Sequence, residues 1–274
     1  MLVARRKSRR TCQQCERALN PLWAQPLLAS TSRQLLERTI VTGASSNHFD
    51  CLTNLLSSLE RRCPGNRVVV YDLGLSDAQW AEIAEFPVEL RRFEFDRYPP
   101  YFDISRNCGE YAWKPVIVHE VLEHYGGLLM WLDAGNLVVE DLAPLWRTIL
   151  QTGIVTPVTP GDLQLWTHPR TLHLMSVPAD DLGKSNRNAA LLGLNTHHAG
   201  ARQLCQSWRD AALWRDCIAP EGSDRSNHRQ DQAVLSALFY RYQREYRFES
   251  IDATREVSFH NDHLSRWDVD ALLS

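Results

Sequence analysis

A few residues in this chain combine a reactive side chain with a position that could aim it. The apolar run Leu128-Leu129-Met130-Trp131-Leu132 breaks off at Asp133, and the carboxyl end of a buried strand is where open α/β sheets bind ligands. A carboxylate there can hold Mg²⁺ or Mn²⁺ against a diphosphate, because hard cations take oxygen ligands. It can equally cap the turn Asp133-Ala134-Gly135-Asn136. Lys114 stands on a helical stretch just before that strand and is the expected cation for phosphates. Asp231-Gln232 opens another helical stretch, where an acid also suits the helix dipole. Near the C-terminus stand two rival imidazoles, His260 and His263.

The elements that must position these groups alternate along the chain. Residues 38–43 (RTIVTG) read as a buried strand. Residues 47–63 put Phe49, Leu52, Leu55, Leu56 and Leu59 on one helical stripe before Cys63-Pro64-Gly65. Residues 67–71 (RVVVY) form a second strand ending at Asp72. Ser76-Asp77-Ala78-Gln79 has the form of a capping box, and Pro87 ends the helix it opens. Residues 88–95 read as a third strand, 98–109 as an aromatic-rich loop, and 111–125 as a helix closed by Gly126-Gly127. Further strands are expected at 154–158 and 191–194, and helices at 199–214 and 229–242. Strands alternating with helices predict one α/β domain over residues 37–274, its mostly parallel sheet covered on both faces. Residues 1–36 have no clean periodicity and read as a solvated, partly disordered basic tail.

Composition excludes several classes. With 44% hydrophobic and 23% charged residues the chain has an ordinary globular composition, and no apolar run is long enough to span a bilayer. Residues 1–40 carry eight Arg and Lys against two Glu, within a net charge of −3. The remaining body is therefore acidic, which argues against nucleic acid as a partner. Seven cysteines without framework spacing point to a reduced, cytoplasmic protein. Cys12 and Cys15 lack the second close pair of a zinc site. Arg5-Arg6-Lys7-Ser8-Arg9-Arg10 places five charges in six residues. At about 1 kcal/mol each, they could draw the chain peripherally to anionic lipid.

Ile40-Val41-Thr42-Gly43-Ala44-Ser45-Ser46 has the strand-to-turn form of a dinucleotide site. The further glycines that let backbone approach a pyrophosphate are replaced by Asn47, His48 and Phe49. Tyr111 and Lys114 are also one residue too close for the Tyr-x-x-x-Lys pair of short-chain dehydrogenases.

A different set of segments holds together. Glu110-Tyr111-Ala112-Trp113-Lys114-Pro115, a helix, Gly126-Gly127, a strand and Asp133-Ala134 follow in order, with Gly193-Leu194-Asn195, Asp231-Gln232 and Phe259-His260-Asn261-Asp262-His263 behind them. The order resembles GT-A nucleotide-sugar glycosyltransferases, and the Asp-Gln and C-terminal histidine segments are similar to those of family 8. The resemblance implies a Rossmann-related GT-A domain. It also implies a hexosyltransferase-like activity moving a sugar from a nucleotide-sugar donor, a UDP-sugar first, to a hydroxyl on a glycan, lipid-linked or protein acceptor. Envelope or surface glycan synthesis is the setting it suggests. Thr42, Gly43, Asn47, Asp72, Lys114, Asp133 and Asn195 would bind the donor, and Asp133 with His260 a Mn²⁺ or Mg²⁺ ion. Asp231 would be the general base of an inverting enzyme; in a retaining one Gln232 would face the sugar. The stereochemistry stays open. One departure stands out: Asp-x-Asp requires an acid at 135, where this chain has Gly135. Asp133 then binds metal with His260, coordinates it through water, or bonds a sugar hydroxyl. The same departure keeps a second reading alive, a GT-A-like protein that binds a sugar nucleotide or a protein partner without turnover. Residues 156–190, with Trp166, His168, His173 and Lys184-Ser185-Asn186-Arg187, are expected to supply acceptor-side loops.

Overall fold

The computed structural model describes residues 37–246, 251, 254–265 and 268–269. The basic tail, with Cys12 and Cys15, lies outside the described residues, as does any lipid contact it makes. Strand β1 (Arg38–Ala44) leads through a short turn into α1 (Phe49–Arg62), followed by β2 (Arg67–Asp72). Helix α2 (Asp77–Ile83) begins at the expected capping box, with Ser76 and Gln79 each satisfying the other's backbone N–H. Strand β3 (Glu89–Arg92) comes next.

The helix expected from residue 111 starts later, as α3 (Trp113–Tyr125). Asn107, Cys108, Gly109, Glu110 and Tyr111 all have φ between 49° and 61°, a left-handed turn that a right-handed helix cannot run through. Such a turn costs about 1–2 kcal/mol per non-glycine residue, so its surroundings must hold it. The Trp113 indole donates to the Cys108 carbonyl at 2.9 Å. A Cβ on Gly109 would press into the Phe102 backbone, 3.0 Å from its carbonyl carbon.

After β4 (Leu128–Leu132) come β5 (Leu137–Val138) and α4 (Ala143–Thr152). The strand expected at 154–158 is two strands, β6 (Ile154–Val155) and β7 (Val158–Asp162). Pro157 lies between them and has no N–H for a ladder. The chain continues through α5 (Leu163–Trp166), α6 (Pro169–Leu174), β8 (Ser185–Arg187), β9 (Leu191–Asn195), α7 (Ala199–Ala212) and α8 (Arg215–Ile218). It then forms α9 (Gln230–Tyr246) and β10 (Val257–Ser258).

The main sheet has six strands in the order β3-β2-β1-β4-β9-β6. β1 runs parallel to β2 and to β4, with Ile40 opposite Val68 and Met130. β9 alone is reversed, its Leu191 opposite Leu132 and its Asn195 opposite Leu128. Side chains alternate across this sheet as strand geometry requires. Val41, Leu129 and Trp131 join the cluster under α3, α7 and α9. Ile40, Leu128, Met130 and Leu132 join the cluster under α1 and α4. Both faces are thus covered, and the whole carboxyl edge of β1 and β4 is left for ligands.

His228 reports on the packing before α9. It is fully buried; its Nδ1 accepts from the His168 N–H at 3.2 Å, and its Nε2 faces the Ile218 carbonyl at 2.9 Å. That pattern assigns a neutral ring carrying its proton on Nε2. Burial pushes the imidazole down to about 4, with His168 adding to the effect and the Ile218 carbonyl opposing it. A lowered folded value means that the unfolded chain takes the proton first. Stability from this group is complete above pH 6.5 and is lost as pH falls from there toward 4, by about 3 kcal/mol at most. Urea unfolding at several pH values checks this: His228→Gln is expected to flatten the decline across that window, and an unchanged slope would contradict the assignment.

Candidate functional site

At the carboxyl ends of β1 and β4 lies a cavity of about 540 Å³, a size suited to a small-molecule ligand. Its walls come from distant parts of the chain. Gly43, Ser45, Asn47 and His48 form one side, Asp133 to Asn136 the floor, Asn188 to Ala190 and Gln232 another side, and His260 and Asp262 the C-terminal rim.

The floor is organised by one buried cation. Lys114 is 3% exposed, and its Nζ lies 2.9 Å from Asp133 Oδ1 and 3.1 Å from Asp231 Oδ2. Burial alone would lower its pKa, but the two carboxylates outweigh burial and keep it charged above the usual lysine range. Burial pushes the Asp231 carboxyl up, and Lys114 pulls it only part of the way back. Trp131 donates its indole N–H to Asp133 Oδ1 at 2.6 Å, so that oxygen has two donors while Asp133 remains 37% exposed to the cavity. α9 places Asp231 and Gln232 here because Trp208 of α7 donates to the Asp231 backbone carbonyl at 2.8 Å. Lys114 was expected to meet phosphates. Its full burial between two acids makes it instead the group that orients them.

The departure at Gly135 has a structural answer. β10 pairs antiparallel with β5, Ser258 opposite Leu137, and this brings the C-terminal segment over the turn after β4. The Asn261 N–H donates to the Gly135 carbonyl at 2.7 Å, and His260 turns the chain with φ 59°. The Asp262 carboxylate then sits where a side chain at 135 would begin; a Cβ there would be 2.9 Å from Asp262 Cγ. The Cys51 thiol hydrogen-bonds Asp262; burial first, then that negative charge, push the thiol to about 11, so it stays a donor. The missing acid of the turn is thus replaced in space by one 127 positions later in the chain. Sequence reasoning passed over Asp262 because a two-residue strand such as β10 leaves no periodic signal. It also passed over Asn136, which is 1% exposed, gives its Nδ2 to Ala190 O at 2.7 Å, and has an Oδ1 without a partner among the described residues.

Two carboxylates and an imidazole suit a hard divalent cation in chemistry. Among the described residues no three His, Cys, Asp or Glu side chains converge into a formed metal cage. The donor types fit such an ion in their chemistry. His260 lines the cavity, whereas its rival His263 does not.

Three expected donor residues lie elsewhere. Thr42 is fully buried in β1 and off the cavity wall. Asp72 is 3% exposed; its Oδ1 caps the Gly74 and Leu75 N–H groups and its Oδ2 meets Arg92 at 3.2 Å. Asn195 stands at the opposite end of the sheet from Asp133, giving Nδ2 to Leu150 O and accepting from His197 N. The reversal of β9 explains this, since a short apolar strand does not disclose its direction. The chain entering β9, Asn188-Ala189-Ala190, takes that place in the cavity. Of the expected acceptor-side loops, Trp166 reaches the cavity; Lys184 is paired with Asp181 at 2.7 Å.

Comparison with solved structures bears on this architecture. The galactosyltransferase LgtC in complex with donor and acceptor sugar analogs aligns over 85% of this chain and 93% of its own, with TM-score 0.51 and 20% identity. An active-site mutant of LgtC gives TM-score 0.53 at 17% identity over the same shares. Core-mannan synthase A (CmsA/Ktr4) from Aspergillus fumigatus, in a Mn/GDP form, covers 74% of this chain and 69% of its own, at TM-score 0.51 and 8% identity. The fold is GT-A. A family model described as a protein of unknown function (DUF1647) matches residues 24–119. No curated protein matches the sequence. Among the described residues no helix is long and apolar enough to cross a membrane, and Cys51, Cys63, Cys108, Cys205 and Cys217 are free thiols.

Proposed function

We propose that this chain is a glycosyltransferase that moves a sugar from a nucleotide-sugar donor, a UDP-sugar first, to a hydroxyl acceptor. One observation carries the reading: Asp133 directly follows the central strand with one oxygen fixed by Trp131 and Lys114 and, among the described residues, no hydrogen-bond partner on the other, and it lines a cavity shared with Gln232, His260 and Asp262. Gly43 and Asn47, at the end of β1, suit the nucleoside. Asp133, Asp262 and His260 are the residues that would hold Mn²⁺ or Mg²⁺. Such a cation offsets the charge of a departing diphosphate.

The chain's own groups then divide the work. Lys114 fixes Asp133 and Asp231 against each other without turning its charge toward solvent. Asp231 is 4% exposed and committed to Lys114, which suits positioning and not the general base of an inverting reaction, since a base must reach the acceptor hydroxyl within about 3 Å. Gln232 is left as the polar group for the sugar. The reading is therefore retaining: the bond from the anomeric carbon to the diphosphate oxygen breaks, the bond to the acceptor oxygen forms on the same face, and the acceptor proton leaves with the diphosphate. Proton NMR of the first product checks this, with the donor's anomeric configuration expected.

A second reading, binding of a sugar nucleotide without turnover, is favoured by the lack of a formed three-donor cage among the described residues. Incubation with UDP- and GDP-sugars in Mn²⁺ separates the two. Saturable binding with slow donor hydrolysis supports the transferase, binding without hydrolysis or product supports the second reading, and no binding by folded protein removes both.

A further inference from the structure

The cavity carries cations as well as acids. Its acids Asp133 and Asp231 meet Lys114 and Asp262 lies on the C-terminal rim, whereas the segment leading into α9 contributes two cations to the lining, Arg225 and Arg229. Among the described residues neither guanidinium meets a carboxylate. Arg225 donates to the Tyr111 hydroxyl at 3.0 Å, and Arg229 lies 4.1 Å from the centroid of the Trp166 ring. The neighbouring acids are engaged elsewhere: Asp224 accepts from Ser226 at its N–H and its hydroxyl, and Glu110 accepts from Asn107 and Gln230. The two cations also feel each other. Burial first, then the charge of Arg225, push Arg229 below the usual arginine range.

Like charges on a cavity wall that meet no carboxylate among the described residues favour an anion from outside, and guanidinium forks suit the planar or tetrahedral oxygens of carboxylate and phosphate. The N-terminus of α9, whose Gln230 and Gln232 also line the cavity, adds a positive dipole end. In the proposed function the donor diphosphate is held by Asp133, Asp262 and His260, which leaves the two arginines for another ligand. The Tyr111 ring touches both groups, 5.8 Å from Lys114 Nζ and 5.8 Å from Arg225 Cζ. We infer that Arg225 and Arg229 bind an anionic acceptor, a sugar or glycan carrying a carboxylate or phosphate. This deepens the transferase reading and rests on it for the word acceptor.

The test titrates the full chain with glucose, glucuronate and glucose 6-phosphate, following Trp fluorescence, with and without UDP and Mn²⁺. At least one anionic sugar is expected to bind about ten-fold or more tightly than glucose, the order of one or two charge-assisted hydrogen bonds. Arg225→Gln and Arg229→Gln should each shrink that preference, and the pair should abolish it. The two phosphate and carboxylate arms distinguish which anion is preferred. Equal affinity for neutral and charged sugars would overturn the inference, as would a loss in the variants that falls on UDP and leaves the sugars unchanged. UDP titration alone reports the transferase reading, so its failure is seen separately from the failure of the arginine site.

Discussion

Lys114→Met is expected to cut donor hydrolysis and transfer by at least about 10²-fold, the scale of losing a preorganised electrostatic group, and to destabilise the fold by about 3–5 kcal/mol at pH 7.5. Both effects have one cause. The ammonium is 3% exposed and is the ion-pair partner of both Asp133 and Asp231; its removal leaves two acids facing each other, one of them buried. The variant should also acquire a characteristic pH dependence. Asp231 is already pushed up by burial and would rise further without its cation. A raised folded value gives stability that is complete below the unfolded value, near pH 4, and is lost as pH rises through the folded one. The variant should therefore regain stability relative to the parent as pH falls from 7.5 toward 4. Unfolding of both proteins across that range measures it. A variant as stable as the parent at every pH would show that the acids do not depend on Lys114.

Gly135→Ala should separate the fold from the cation site. The atoms nearest a Cβ at 135 are those of the Asp262 carboxylate, which can swing away, so stability should change by less than about 1 kcal/mol. Displacing that carboxylate should weaken Mn²⁺-dependent UDP binding by about ten-fold or more, because ligand charge sets the affinity of such sites. Gly135→Asp alone crowds two acids into one place. Combined with Asp262→Gly, it returns the carboxylate from the neighbouring chain segment and should restore the dependence. Calorimetric titration of UDP at several Mn²⁺ concentrations checks all three variants. Unchanged binding in Gly135→Ala would remove Asp262 from the site.

Much of the sheet was legible because β1, β2 and β4 are short runs rich in apolar and β-branched residues, and a small or acidic residue ends or directly follows each. The capping box before α2 was legible for the same reason, being a local pattern with a local cause. Asp133, Asp231 and Gln232 could be named because each begins or ends a periodic element. Asn195 was misplaced because the direction of a five-residue strand is decided by the partners of β9, and nothing within Leu191–Asn195 records it. Lys114 was named for its charge, but its burial depends on Trp131, Asp231 and Ala189 closing over it from three separate elements. Asp262 stayed hidden for a similar reason. Its place over Gly135 follows from one short pairing, β5 with β10, which no sequence period announces. Arg225 and Arg229 sit in an irregular segment, where only their place on the folded cavity marks them.

The central claim is that Asp133 presents its free carboxylate oxygen to a nucleotide diphosphate. Calorimetric titration of UDP in Mn²⁺ into the parent and into Asp133→Asn tests it most directly, with a circular dichroism spectrum confirming that both are folded. Saturable, Mn²⁺-dependent binding by the parent, weakened by about ten-fold or more in Asp133→Asn, is the predicted result. Equal binding by the two proteins, or none by the folded parent, would contradict it.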